Sequence, residues 1–149
     1  MAKVIVVGAD GSDGSRRALE WSAELAREID AQVEVVHAES RAALWEFSAI
    51  QIDIDSYLDE LRGLLGDLWT QPLRDADVKY HTQLVRGDPA AELLRIAREL
   101  DAYVVVAGAR KHAALHDLIV GGTAHKLVNH ANRPVVLVPP STQERVSEP

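Results

Sequence analysis

Three short apolar runs predict buried β-strands. They are rich in valine, are bounded by glycine or proline, and cover residues 3–8, 103–108 and 134–138. They do not alternate between polar and apolar residues, and continuous apolar runs are typical of parallel strands that helices cover on both faces. Residues 32–37 and 78–85 are weaker strand candidates, the second with partial alternation.

Helical periodicity appears between these strands. Residues 15–29 place Leu19, Leu25 and Ile29 on one face, and Ser12 or Asp13 can cap the start of this helix. Residues 52–73 predict one long helix from apolar side chains at helical spacing, which are Leu58, Leu61, Leu65, Leu68 and Trp69.

Two further helices complete the pattern. Asp88 followed by Pro89 is typical of an N-cap and a first helical position, so a helix is expected from there to about Leu100. A last helix is expected over residues 123–131. Residues 39–51 form either a loop or a short helix.

The resulting order is strand and helix in strict alternation, which predicts one α/β domain with a five-stranded parallel open sheet. Helices on both faces make it a three-layer α/β/α sandwich. We expect this domain to cover residues 1–139, and the polar residues 140–149 to form a disordered tail.

Composition narrows the class of protein. The chain of 149 residues has a net charge of −7, which argues against non-specific binding to nucleic acid. It has no run of roughly 18 apolar residues that would span a membrane, and no signal peptide is recognisable. The absence of cysteine excludes disulfides and thiolate metal sites and fits a cytoplasmic location.

Two segments follow strands at the edge where open α/β sheets bind ligands. They are residues 8–12 and residues 108–111. Asp10 in the first segment is open to two interpretations. Its carboxylate can accept hydrogen bonds from a ribose hydroxyl or an adenine amine, or it can cap the loop backbone as an Asx turn.

The second candidate is an anion site. A Gly-Gly-Thr segment at residues 121–123 opens the last helix, and a phosphate chain could lie between it and Gly108, with Arg110 or Lys111 nearby. The alternative is that the two glycines form only a tight turn, with Thr123 as the N-cap.

The sequence lacks the motifs of several other nucleotide-binding, catalytic and metal-binding sites. The first loop is neither a dinucleotide fingerprint nor a Walker A loop, and the chain has no Gly-x-Ser-x-Gly elbow. His112 and His116 have helical metal-ligand spacing but no evident third ligand, so we expect no metal site. His37 either caps the end of its strand or flanks a bound base.

Taken together, these motifs resemble the universal stress protein family. Residues 108–138 are similar to its C-terminal signature, which reads Gly-x2-Gly-x9-Gly-Ser/Thr, a helix and Pro-Val-x-x-Val. Residues 5–18, with Asp10-Gly11-Ser12, resemble its first strand and loop, and residues 85–89 resemble the start of its third helix. The resemblance covers nearly the whole chain apart from about residues 41–77.

The resemblance implies a Rossmann-like, adenine nucleotide alpha hydrolase-like fold that binds ATP or a related adenine nucleotide, with Mg²⁺, as a stress-response sensor or switch. It implies no enzymatic activity beyond slow, incidental hydrolysis. It also implies a homodimer in which the last strands, Pro134 to Val138, pair with each other. The positions that correspond to the family's nucleotide site are Ala9, Asp10, Val85, Gly108, Arg110, Lys111, Gly121, Gly122 and Thr123.

Two positions depart from the family pattern. Lys111 replaces its second glycine, and Gly122 replaces the serine or threonine that follows its third. A lysine resists the close backbone approach that glycine permits, although its ammonium can neutralise a phosphate. Losing the hydroxyl removes a donor worth roughly 0.5–1.5 kcal/mol. The alternative hypothesis is therefore a dimeric interaction or scaffold protein that binds no nucleotide.

Overall fold

The computed structural model describes residues 2–51, 53–111, 118–119 and 122–140. Its strands are β1 (Val4–Gly8), β2 (Gln32–Glu39), β3 (Tyr80–Arg86), β4 (Val104–Gly108), β5 (Arg110–Lys111), β6 (Leu118–Ile119) and β7 (Val135–Val138). Its helices are α1 (Asp13–Ile29), α2 (Arg41–Ala49), α3 (Ile54–Gly66), α4 (Gln71–Asp75), α5 (Pro89–Glu99) and α6 (Gly122–His130).

The main sheet has five parallel strands in the order β3-β2-β1-β4-β7. This confirms the parallel sheet expected from the alternation of strands and helices. The chain builds outwards from β1 to β3 and then returns to the other side of β1 with β4. The strand order therefore reverses between β1 and β4, which is where such sheets bind ligands. Strands β5 and β6 form a separate antiparallel pair.

Helices cover both faces of the sheet, as predicted. One face packs against α1, with Leu65 of α3 and Leu73 of α4 in the same buried cluster. The other face packs against α5 and Leu127 of α6. Apolar burial on both faces accounts for the continuous valine runs of the central strands.

The two predicted helix starts are present. The Ser12 hydroxyl accepts a hydrogen bond from the Ser15 N–H at 3.2 Å and caps α1. The Asp88 carboxylate accepts one from the Ala91 N–H at 3.0 Å and caps α5, with Pro89 in the first turn. Both caps satisfy backbone donors that a helix cannot pair internally.

The prediction of a single helix over residues 52–73 is wrong, because the structure has two helices, α3 and α4, in this segment. Helix α3 ends at Gly66, and Pro72 lies in the first turn of α4, where proline is tolerated. Between the helices Leu68 is 67% exposed, whereas Trp69 packs against the core. Ile52 lies outside the described residues.

Residues 39–51, for which the sequence predicted either a loop or a short helix, contain α2. Of the predicted tail, residues 141–149 lie outside the described residues, and Pro140 is buried. No helix among the described residues has the length and apolar character needed to cross a membrane.

Candidate functional site

A crevice of about 740 Å³ lies at the carboxyl ends of β1, β2 and β4, where the strand order reverses. Its described lining residues are Gly8, Ala9, Asp10, Ser12, Asp13, Gly14, Ser15, Val36, His37, Ala38, Pro89, Leu93, Ala107, Gly108, Ala109, Gly122, Thr123, Ala124 and Pro140. We call residues 8–15 the β1 wall and residues 122–124 the α6 wall. All of the β1 wall except Gly11 lines the crevice, and Gly11 lines the neighbouring groove beside Trp69.

Close backbone packing shapes the β1 wall. A Cβ atom on Gly108 would lie 2.4 Å from the carbonyl carbon and oxygen of Gly14, so the contact between β4 and α1 requires glycine at position 108. Gly11 has a φ of +80°, and a Cβ there would lie 2.7 Å from the Trp69 ring. Both glycines therefore have a structural reason that does not depend on a ligand.

Asp10 forms the Asx turn that the sequence left as one alternative. Its Oδ1 accepts a hydrogen bond from the Ser12 N–H at 2.9 Å, and its own N–H donates to the Ser15 hydroxyl at 3.1 Å. The residue is exposed in the crevice wall. A carboxylate can accept several hydrogen bonds, so the turn is compatible with the ligand contact suggested for Asp10.

His37 is buried beside the β1 wall, and each of its ring nitrogens lies within hydrogen-bonding distance of an oxygen atom. Its Nδ1 lies 2.6 Å from the Ala9 carbonyl oxygen, and its Nε2 lies 2.9 Å from Glu39 Oε2. The imidazole and the Trp69 ring pack edge to face, with ring centroids 5.3 Å apart. Burial, followed by the charge and hydrogen bond of Glu39, raises the pKa of Tyr57 on α3.

The sequence predicted His37 at a strand end but did not identify Glu39 as its partner. Strand β2 continues to Glu39, and alternate residues of a strand share one face. The spacing of His37 and Glu39 was therefore the available signal. The contact from Tyr57 had none, because it depends on how α3 packs on the sheet.

The floor of the crevice is apolar. Val36 and Leu93 belong to the buried cluster under α5, and both line the crevice beside Ala38. Val85, a predicted site residue, pairs with Ala38 in the register of β2 and β3 and packs against the same cluster. It lies next to a lining residue without itself lining the crevice.

The α6 wall is more open. Gly122 is the first residue of α6, and a Cβ added there would meet no atom of the described residues within 4 Å. Thr123 is half-buried and lines the crevice. Gly121, together with His112 and His116, lies outside the described residues. The backbone of Arg110 and Lys111 forms β5, and their suggested phosphate contacts stay predictions.

Three helices begin at this crevice. Ser12 caps α1, Pro89 begins α5 and Gly122 begins α6, and all three residues are part of its lining. Helix N-termini carry a partial positive charge, so their convergence favours an anionic ligand. Pro89 has no N–H, and Ser12 and Asp88 already accept from one N–H group each of α1 and α5. This positive charge offsets the negative charge of Asp10 and Asp13, which are the acidic side chains among the described lining residues.

An ion pair connects α5 to α6 beside the crevice. Lys126 Nζ donates to Asp88 Oδ1 at 2.8 Å, while Asp88 Oδ2 caps α5. The hydrogen bond from Lys126, followed by that from the Ala91 N–H, lowers the pKa of Asp88. The same carboxylate thus fixes the start of one helix and contacts the next.

The described part of the chain gathers no group of three or more His, Cys, Asp or Glu side chains that could hold a metal ion.

Known proteins share this architecture. The model of the universal stress protein family matches residues 1–139. Universal stress protein YxiE of Bacillus subtilis is 28% identical over 147 residues, covering 93% of this chain and 99% of YxiE.

Solved structures of universal stress proteins have the same fold. A universal stress protein of Archaeoglobus fulgidus superimposes with a TM-score of 0.76 at 27% identity, covering 93% of this chain and 99% of that one. The universal stress protein of Archaeoglobus fulgidus in complex with dAMP has a TM-score of 0.71 at 23% identity, with coverage of 93% and 98%. With the family match extending over almost all the described residues, this chain belongs to the universal stress protein family.

Proposed function

We propose that this chain is a cytoplasmic stress-response protein that binds ATP or a related adenine nucleotide as a sensor or switch. The observation that carries the proposal is the convergence of three helix N-termini on one crevice with an apolar floor. This combination suits a ligand with an aromatic base and an anionic phosphate chain. We propose a binding protein and not an enzyme.

The base would lie on the apolar floor formed by Val36, Ala38 and Leu93, with Ala9 and Asp10 beside the adenosine. Asp10 is exposed there and can accept a hydrogen bond from a ribose hydroxyl or the adenine amine. Val85 would act only through its neighbour Ala38.

The phosphates would lie at the α6 wall, between Gly108 and Thr123. Backbone N–H groups at the start of α6 would bind them, and Gly121, Arg110 and Lys111 would contribute from the adjoining segment. A Mg²⁺ ion would enter with the phosphates. The dAMP complex of the Archaeoglobus fulgidus protein supports an adenine nucleotide as the ligand class.

Calorimetric titration with ATP and Mg²⁺ tests this proposal. We expect saturable binding of one nucleotide per chain. The absence of binding heat up to about millimolar ATP would favour the alternative, a family member that binds no nucleotide and works as an interaction or scaffold protein.

A designed variant shows whether the departures from the family pattern control affinity. Gly122→Ser adds a hydroxyl where a Cβ meets none of the described residues within 4 Å, so the fold should tolerate it. Combined with Lys111→Gly, it restores the family pattern, and we expect several-fold to tenfold tighter binding. Gly122→Ala adds the Cβ without the hydroxyl and is the matched control.

We also propose that the protein forms a homodimer through β7. This strand ends the main sheet, and its residues Val135, Val136 and Leu137 are only partly buried. Val128 of α6 is 56% exposed. An apolar edge strand favours pairing with a second copy. Sedimentation equilibrium should give the mass of a dimer, and a monomer at all concentrations would contradict this.

A further inference from the structure

We propose that a second groove, between α1 and α4, is a docking site for a basic amphipathic helix of a partner protein. The groove has the same volume as the crevice, about 740 Å³, and lies beside Gly11 and Trp69. The proposal goes beyond nucleotide binding and does not depend on it.

The groove follows most of the length of α1. Its lining residues on this helix recur at intervals of three and four from Ser12 to Arg27, so they form one stripe along the helix. At 1.5 Å per residue, the stripe is roughly 22 Å long. A surface of this length fits a helix of about four turns better than it fits a compact small molecule.

The groove has an apolar floor and an exposed apolar side chain at its edge. Leu19 and Ala23 of α1 are buried there, and Trp69 and Ala76 on the opposite side are partly buried. Leu68 also lines the groove and is 67% exposed. The groove therefore offers apolar side chains that a partner helix could cover with its own apolar face.

The charges of the groove favour a basic partner. Its described lining has four acidic and two basic side chains, which are Asp13, Glu20, Glu24, Asp75, Arg16 and Arg27. Arg16 is neutralised within α1, because its Nε lies 3.3 Å from Glu20 Oε1. Glu24 is exposed and has no ion-pair partner among the described residues. The excess of negative charge would attract lysine or arginine on the polar face of an incoming helix.

Other occupants match these charges less well. The chain has a net charge of −7, so a second copy would bring charge of the same sign. Residues 141–149 contain two glutamates and one arginine and supply no basic face. The phosphates of a nucleotide would be repelled by the acidic side chains.

Amide chemical-shift mapping with a designed peptide tests the proposal. The probe has two Leu-Lys-Lys-Leu-Leu-Lys-Leu heptads, which form a helix with a leucine face and a lysine face. We expect a roughly micromolar Kd and the largest shifts around Ala23 and Ala76. The same peptide with glutamate in place of lysine should not bind. Shifts centred elsewhere, or no shifts, would overturn this proposal and leave nucleotide binding in the crevice unaffected.

Leu68→Ser tests the apolar contact. Loss of this side chain should weaken peptide binding about tenfold, because the leucine face of the probe loses an apolar neighbour. Ile50→Ser is the matched control, since Ile50 is 66% exposed and does not line the groove. Equal effects of the two substitutions would contradict the assigned position of the peptide.

Glu24→Gln tests the charge of the groove. It should weaken binding about threefold, and the remaining affinity should depend less on salt. Glu28→Gln removes the same charge from the same helix outside the groove and should change the Kd by less than about twofold. Equal effects would mean that the peptide is attracted only by the net charge of the chain, and the proposal would be wrong.

Two further measurements identify a different occupant. Wild type and Leu68→Ser should have the same mass in sedimentation equilibrium, whereas a smaller assembly of the variant would show that a second copy fills the groove. A chain that ends at Pro140 should bind the peptide with the wild-type Kd. Tighter binding by the shortened chain would show that residues 141–149 occupy the groove. Either of these contrary results would overturn the proposal.

Discussion

The two walls of the crevice differ in how strictly packing limits their sequence. At the β1 wall, backbone atoms of Gly14 lie where a side chain at Gly108 would have to go, and Trp69 occupies the corresponding space at Gly11. At the α6 wall, none of the described residues comes within 4 Å of a Cβ placed on Gly122. The fold therefore determines one wall, while the other can change without cost to packing. The departure from the family pattern at Gly122 lies in the tolerant wall, so its consequences should appear in ligand binding and not in stability.

Among the substitutions that test the difference between the walls, Gly108→Ala should have the largest effect on stability. The new methyl group would overlap the Gly14 backbone, which cannot move without displacing α1. We expect the free energy of unfolding to fall by about 3 kcal/mol. Urea denaturation measures this free energy. Gly63→Ala in α3 is the control, since that Cβ would meet no described residue within 4 Å. A cost below about 1 kcal/mol would mean that the β1 wall is not rigid.

Gly11→Ala tests the second constraint on the same wall. It should cost about 2 kcal/mol, because alanine disfavours a φ of +80° and its Cβ would overlap Trp69. A double-mutant cycle with Trp69→Leu separates the causes: relief of the overlap reduces the cost, while the backbone contribution remains. Additive effects of the two substitutions would show that Trp69 does not limit position 11.

A comparison of Asp88→Ala with Asp88→Asn tests how the α6 wall is held. Alanine removes the cap of α5 and the ion pair with Lys126, and we expect the free energy of unfolding to fall by about 1 kcal/mol. Asparagine retains a capping side chain and should lose only a few tenths of a kcal/mol from this exposed pair.

The difference between wild type and Asp88→Asn should depend on pH. Because the pKa of Asp88 is lowered in the folded chain, its contribution is present above the ordinary Asp value and disappears as pH falls through the folded value. Thermal unfolding from neutral to acid pH measures this. Equal stabilities of the two proteins at every pH would contradict the assigned role of Lys126.

The smallest effect is expected for Gly122→Ala. Because no atom in the described part of the chain lies within 4 Å of the added Cβ, the free energy of unfolding should change by less than about 0.5 kcal/mol. A loss comparable to that of Gly108→Ala would remove the distinction between the walls.

Much of this fold could be predicted from sequence, because its signals are local. Continuous valine runs identified the central strands, and Ser12 and Asp88 identified helix starts. The segment after α3 misled the prediction because Leu68 and Trp69 continue the helical spacing beyond Gly66. Their different burial depends on how the chain turns back to the sheet.

The site was harder to predict, because its contacts join distant segments. Nothing in the sequence around Gly108 identifies Gly14 as the neighbour that requires glycine. The same holds for Tyr57 and Glu39, which come together only when α3 packs on the sheet. The motif around Asp10, in contrast, was recognisable because its Asx turn is formed within three residues.

The central claim is that an adenine nucleotide binds between the two walls. Amide chemical-shift mapping with ATP and Mg²⁺ tests it most directly, because a second groove of about 740 Å³ lies between α1 and α4. We expect the largest shifts at Ala9, Gly108 and Thr123, with saturation at one nucleotide per chain. Shifts centred on the second groove, around Ala23 and Ala76, or no shifts at saturating ATP, would contradict the account.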